Sequence, residues 1–236
     1  MCSQYKNIPD SMSSVIHVTT GALEAGQMGA VVARAGVGKT SFLVQTAMHA
    51  MISGKKVMHI NLKESIRKVT LWYGEIFSLL CKRYAGLENQ VSLDALLASR
   101  FIMTMQVQGF SAEAIRERLT DLLEQGIFAP DMLVIDGLSF DTSRRQTMEG
   151  IQAISRELSL RTWVSVPAHR EEPRDGAGMP ARIADVKDLF DLIWEFVPEG
   201  REEGIRLKRL DPAGAKAKEG ADLYLDPSSM LLNIRS

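Results

Sequence analysis

Residues 28–52 restrict the fold more than any other part of the chain. MGAVVA (28–33) is a short run of small apolar residues, the mark of a strand buried on both faces. Helical apolar periodicity follows from Lys39 to about Ile52. Between them stand Arg34, Ala35, Gly36, Val37 and Gly38. A buried strand that turns this quickly into a helix needs other strands beside it and helices over both of its faces.

The rest of the sequence supplies them. KVMHINL (56–62), FIMTMQV (101–107), DMLVID (131–136) and TWVSVPA (162–168) read as strands. From Ile66, apolar residues recur at Val69, Trp72, Tyr73, Ile76, Phe77 and Leu80, one face of an amphipathic helix. Ile115, Leu119, Leu122 and Leu123 mark another, with Ser111 as its N-cap, and Ile151, Ile154 and Leu158 a third. After Asp185 the pattern changes to consecutive strands in LFDLIWEFV, GIRLKRL, ADLYLD and SMLLNI. The expectation is an α/β fold: a central, mostly parallel sheet flanked by helices, with antiparallel strands near the C-terminus. It forms one domain over residues 1–236, with 1–17 a mobile or peripheral segment. REEPRDGAGMPA (170–181) and DPAGAKAKEGA (211–221), rich in Gly, Pro and charge, read as mobile connections.

Composition removes several function classes. With 236 residues, 45% hydrophobic and 24% charged, the chain can bury a sizeable core and is not broadly disordered. A formal net charge of −1 gives no global field toward nucleic acid or acidic membranes. Two cysteines, Cys2 and Cys81, make no disulfide framework and suit a reducing compartment. No apolar run is long enough to span a bilayer, and MCSQYKNIPDSMSSV does not read as a signal peptide. The expected location is cytoplasmic. His17, His49 and His59 show no metal-ligand spacing.

The strand-to-helix turn has the chemistry of a phosphate cradle. Gly36 and Gly38 allow backbone N–H groups to curl round phosphate oxygens, and the helix N-terminus adds a favourable field. Arg34, Ala35, Gly36, Val37, Gly38, Lys39, Thr40 and Ser41 are the expected nucleotide-binding residues. Lys39 supplies a point charge to the outer phosphates, and the Thr40 hydroxyl ligates Mg²⁺. The full pattern is G-x-x-x-x-G-K-[ST], and Ala33 stands in place of its first glycine. Alanine is tolerable there if φ stays negative.

Acidic partners are expected at strand ends. Asp136 closes MLVID, where a carboxylate points into the crevice beyond a parallel sheet and can hold Mg²⁺ through water; the alternative is a cap on the Gly137 turn. Glu64 either orients and deprotonates an attacking water or is a helix-start glutamate favoured by the dipole. His169 either senses the γ-phosphate or ends a strand without a role.

On these residues the chain resembles the RecA/KaiC/DnaB group of P-loop ATPases, over roughly 18–235. TTGALEAGQMGAVVARAGVGKTSFLVQTA is similar to the group's entry segment, and the "AR" before the loop to DnaB-type helicases, which also tend to carry alanine there. MLVIDG matches the group's second acidic strand and WVSVPAH its phosphate-sensing strand. The resemblance implies that this last strand lies between the loop strand and the Asp136 strand, and that the ligands are ATP and Mg²⁺. It also implies a homo-oligomer, such as a hexameric ring, in which a basic pair reaches the neighbour's γ-phosphate. IRLKRL matches that region and makes Arg206, Lys208 and Arg209 candidates; a solvated basic edge strand is the other reading. The chain departs from the group at the catalytic glutamate. In a DnaB-like alignment that position is Lys63; in a KaiC-like one, only the second of two glutamates survives, as Glu64. A lysine beside the γ-phosphate favours binding without speeding water attack.

Two function classes follow. One is a Mg²⁺-dependent ATPase that assembles and moves loops such as 170–181. The other is an ATP-bound switch or scaffold for a protein partner that hydrolyses slowly or not at all. A nucleic-acid motor is less favoured: Arg170, Arg174 and Arg182 are matched by Glu171, Glu172 and Asp175, and the loop has no aromatic residue for base stacking.

Overall fold

The computed structural model describes residues 9–19, 21–138, 144–169, 172–176, 178–200, 204–210 and 222–235. Among the described residues nine strands form one sheet: β1 (Met28–Ala33), β2 (Val57–Asn61), β3 (Arg100–Thr104), β4 (Met132–Asp136), β5 (Arg161–Pro167), β6 (Leu192–Gly200), β7 (Gly204–Leu210), β8 (Asp222–Leu225) and β9 (Leu232–Arg235). Their order is β3-β2-β4-β5-β1-β6-β7-β8-β9. The block from β3 to β6 is parallel, and β6 to β9 pair antiparallel. The expected α/β sheet is therefore present, and β5 lies between β1 and β4 as the resemblance implied.

The described residues also form eight α-helices: α1 (Asp10–Thr19), which precedes β1, α2 (Lys39–Ile52), α3 (Ile66–Arg83), α4 (Leu87–Gln90), α5 (Leu93–Leu97), α6 (Ala112–Glu124), α7 (Arg144–Glu157) and α8 (Ala181–Ala184). Alternation along the strands divides the core. Val31, Val57, Val134 and Trp163 face α1 to α5; Ala30, Met58, Leu133 and Val164 face α6 to α8. Helix starts follow local chemistry: Ser65 accepts the Lys68 N–H, and Ser111 accepts the Ala114 N–H as the sequence predicted. Among the described residues no helix is long and apolar enough to cross a membrane.

Two expectations are corrected. In its described part the N-terminal segment is not peripheral: α1 buries Met12 and Val15 in the main core, and Thr19 meets the buried His49 at 3.1 Å. Residues 1–8, with Cys2, lie outside the described residues. The stretches 172–176 and 178–181 are tied down. Arg174 pairs with the buried Glu195 at 2.5 Å, Lys187 with Asp175 at 2.7 Å, and the Met179 N–H donates to Asp175 Oδ1 at 2.8 Å. Arg170, Glu171 and the whole of 211–221 lie outside the described residues.

Candidate functional site

The C-terminal ends of β1, β2, β4 and β5 converge beyond the sheet. The chain leaves β1 at Ala33, whose φ stays negative; Ser159 and Met230 are the non-glycine residues with positive φ among those described. Alanine thus meets the condition under which it can replace the first glycine. Gly36 (φ 77°) and Gly38 (φ 101°) then take left-handed conformations and turn the loop into α2. Helical bonding begins at once, with the Phe42 N–H on the Gly38 carbonyl at 2.9 Å.

Lys39 folds back over this loop. Its ammonium donates to the Ala33 carbonyl at 2.7 Å and the Arg34 carbonyl at 2.9 Å. Burial pushes its pKa down to about 8; Asp136 opposes that shift and the nearby Lys63 adds to it. One residue on, Thr40 donates to Asp136 Oδ2 at 2.7 Å. The other carboxylate oxygen accepts the Ser165 hydroxyl at 2.6 Å, and Ser165 in turn accepts the Gly137 N–H at 3.0 Å. A hydroxyl and a buried carboxylate in contact beside a lysine form a donor set that fits Mg²⁺, which takes one or two protein oxygens and leaves the remaining positions to phosphate and water. Among the described residues no three His, Cys, Asp or Glu side chains gather as a metal cage.

Two hollows open from the loop. A groove of about 440 Å³ runs from Gly36–Ser41 between α3, with Trp72, Ile76 and Leu79, and the Ser228–Met230 turn that precedes β9. A smaller cavity of about 140 Å³ lies beyond Lys39 and Thr40, bounded by Asn61, Lys63, Glu64, Asp136, Ser165 and Pro167. Trp72 lines both.

Of the residues expected from the sequence, Ala35, Lys39, Thr40, Asp136 and Glu64 line the small cavity, and Gly36, Gly38 and Ser41 line the groove. Val37 holds the turn through its N–H to the Arg34 carbonyl at 3.4 Å. Glu64 faces its own helix, paired with Lys68 at 2.9 Å. His169 is not brought to the small cavity: its ring meets Arg182, its N–H donates to Glu172 at 3.1 Å, and it lines a separate hollow with Arg34. Arg206, Lys208 and Arg209 on β7 line none of these hollows. Arg206 is held by Asp222 at 3.1 Å and Glu199 at 3.6 Å, and those carboxylates raise its pKa, Asp222 first. Arg206 and Lys208 share one face of β7 by alternation, and Arg209 takes the other.

Sequence reading missed Asn61, Gln45, Ser165 and the 226–231 turn. Asn61 had a legible signal, an Asx residue at a strand end before the Ser65 cap. Ser165 and Gln45 act through residues far along the chain, and nothing local marks them.

Compared with known proteins, the chain matches the sequence model of a family described as an AAA domain over residues 3–147, more than half its length. No curated protein matches it.

Proposed function

This chain belongs to the AAA domain family of P-loop domains, and from that premise we propose that it binds ATP with Mg²⁺ and changes conformation with its nucleotide state. The observation that carries the reading is the Lys39–Thr40–Asp136 constellation under a loop opened by two left-handed glycines. Lys39 would exchange its two loop carbonyls for phosphate oxygens. Thr40 and Asp136 would hold the ion, which supplies charge neutralisation at the outer phosphates. The groove offers the Trp72 indole, Ile76, Leu79 and Met230 to a base, with Ser228 and Ser229 at its edge.

Two features favour slow turnover over a fast ATPase. Glu64 is paired with Lys68, and the cavity wall beside Asp136 carries Lys63. A water at the cavity therefore meets an occupied base and an added cation, neither of which helps deprotonate it. On this reading the protein is a nucleotide-loaded switch for a protein partner. If it also self-assembles, Lys208 and Arg209, for which no ion pair is recorded among the described residues, are the groups free to reach a neighbour, more so than Arg206.

Binding can be followed through tryptophan emission, because Trp163 and Trp194 are buried and Trp72 is the half-exposed indole facing the groove. MgATP should change that emission in the parent protein and not in Lys39→Ala. Unchanged affinity in Lys39→Ala would refute the phosphate-loop assignment. Phosphate release measured across protein concentrations, with Glu64→Gln alongside, separates the two classes. Turnover that rises with assembly and vanishes in the variant means a ring ATPase; tight binding with little turnover in either means a switch.

A further inference from the structure

The small cavity holds a second lysine that the phosphate-loop reading does not use. β2 ends at Asn61, in register with Asp136 of β4, and the Leu62 N–H donates to the Asp136 carbonyl at 2.9 Å. The Asn61 side-chain oxygen then accepts the N–H groups of Lys63 at 2.9 Å and Glu64 at 2.6 Å. This Asx turn fixes the direction in which successive side chains leave the strand. Leu62 is buried in the core, Glu64 joins Lys68, and Lys63 is sent across Gly137.

The crossing is close. A Cβ on Gly137, which sits at φ 87°, would lie 3.0 Å from Lys63 Cγ and 3.3 Å from its backbone nitrogen. The Lys63 stem is therefore laid over the residue that follows Asp136, and the side chain lines the same cavity as Lys39 and Thr40. Among the described residues no ion pair is recorded for the Lys63 ammonium. Its charge is felt by Lys39, whose ammonium it helps to destabilise. Two ammonium groups thus face a space that opens beyond the loop, where the last phosphate of a triphosphate would extend; of the two carboxylates on its wall, Asp136 is buried and Glu64 is already paired with Lys68. The excess positive charge there favours an anion.

We propose that Lys63 is a second cation for the terminal phosphate, supplied by the same chain that binds the nucleotide, so that the protein separates triphosphate from diphosphate by ground-state binding. The proposal rests on the phosphate-loop reading above. Lys39 serves both nucleotides, since it acts at the loop itself; Lys63, across the cavity, has an anion to meet only when the third phosphate is present. A charge-assisted contact of this kind is worth about 10- to 100-fold in affinity.

The test uses the full-length protein with Mg²⁺ and three probes: a non-hydrolysable ATP analogue, ADP and inorganic tripolyphosphate. Dissociation constants are measured for the parent, Lys63→Gln, Lys63→Arg and Lys39→Ala. The proposal expects Lys63→Gln to weaken the ATP analogue and tripolyphosphate by about 10-fold or more, to leave ADP within about twofold, and to be largely rescued by arginine. It is overturned if Lys63→Gln leaves the ratio of ATP-analogue to ADP affinity unchanged, whether both constants hold or both fall together. A parent protein that binds none of the probes, or binds them as well as Lys39→Ala does, overturns the phosphate-loop reading itself, which is a different result. Because the Lys63 side chain is exposed, thermal melting of Lys63→Gln should match the parent and exclude misfolding as the cause.

Discussion

Gly36 and Gly38 both take positive φ, yet an added methyl group does different work at each. At Gly36 a Cβ meets nothing within 4 Å, so alanine pays only for a left-handed backbone, about 1–2 kcal/mol. At Gly38 the same atom would lie 2.3 Å from Leu225 Cδ2 and 2.8 Å from Met230 Cε. Leu225 is fully buried on β8, so relief requires its side chain and that of Met230 to repack away from the loop. Gly36→Ala should fold, melt roughly 2–8 °C lower and bind nucleotide less tightly. Gly38→Ala should lose more stability and all measurable nucleotide binding. Combined with Leu225→Ala, it should cost less than the sum of the two single variants, because the smaller side chain makes room. Equal effects of the two alanines in melting experiments would contradict this account of the loop.

At the scale of elements, the first turns of α2 and the turn before β9 are one unit. Ser41 and Gln45 both donate to the Met230 carbonyl at 2.7 Å, while Gln45 Oε1 accepts the Leu232 N–H at 2.8 Å. Asp226 organises the turn through Ser228 and Ser229, and Arg83 from the end of α3 reaches the Leu232 carbonyl at 2.9 Å. The wall of the groove is therefore bonded to the helix that carries Lys39 and Thr40. Gln45 is 1% exposed, so truncation strands the Leu232 N–H and the Met230 carbonyl loses a donor. Gln45→Ala should cost about 2 kcal/mol, roughly 4–8 °C of melting temperature, and loosen the 226–231 turn. Hydrogen exchange at Leu232 reads that loosening, and unchanged protection there would separate the turn from α2.

Across the whole molecule, what was legible in the sequence is what local pattern decides. The strand–loop–helix at 28–52, the alternation that follows and the four closing strands are written in apolar periodicity, and Lys39, Thr40 and Asp136 in their places on it. The rest is decided by partners far along the chain. α1 is built from DSMSSVIHVT, poor in strong helix formers, and exists because Met12 and Val15 find a core. The order of 172–176 and 178–181 comes from Arg174 meeting Glu195 across 21 residues. Ser165 reaches Asp136 only because β5 is inserted beside β4. The same burial creates an acid sensitivity that no motif announces. His49 is enclosed with Thr19, and His59 with Tyr73 and Arg100, and both are fully buried. Burial holds each near a pKa of about 4, from an ordinary 6.5; for His59 Arg100 adds to the effect and Asp136 opposes it. Between those values the unfolded chain takes up protons that the folded chain refuses. Stability is therefore fully present above pH 6.5 and is lost as pH falls toward 4, by roughly 1.4 kcal/mol per pH unit for each histidine. Urea unfolding at intervals from pH 7.5 to 5 should show this slope before most carboxylates titrate. Replacing His59 by phenylalanine should remove about half of it, because the substituted ring has no proton to accept. A flat profile over that range would mean that the two imidazoles are protonated in the folded protein, and the packing of α2 and α3 on the sheet would have to accommodate two buried charges.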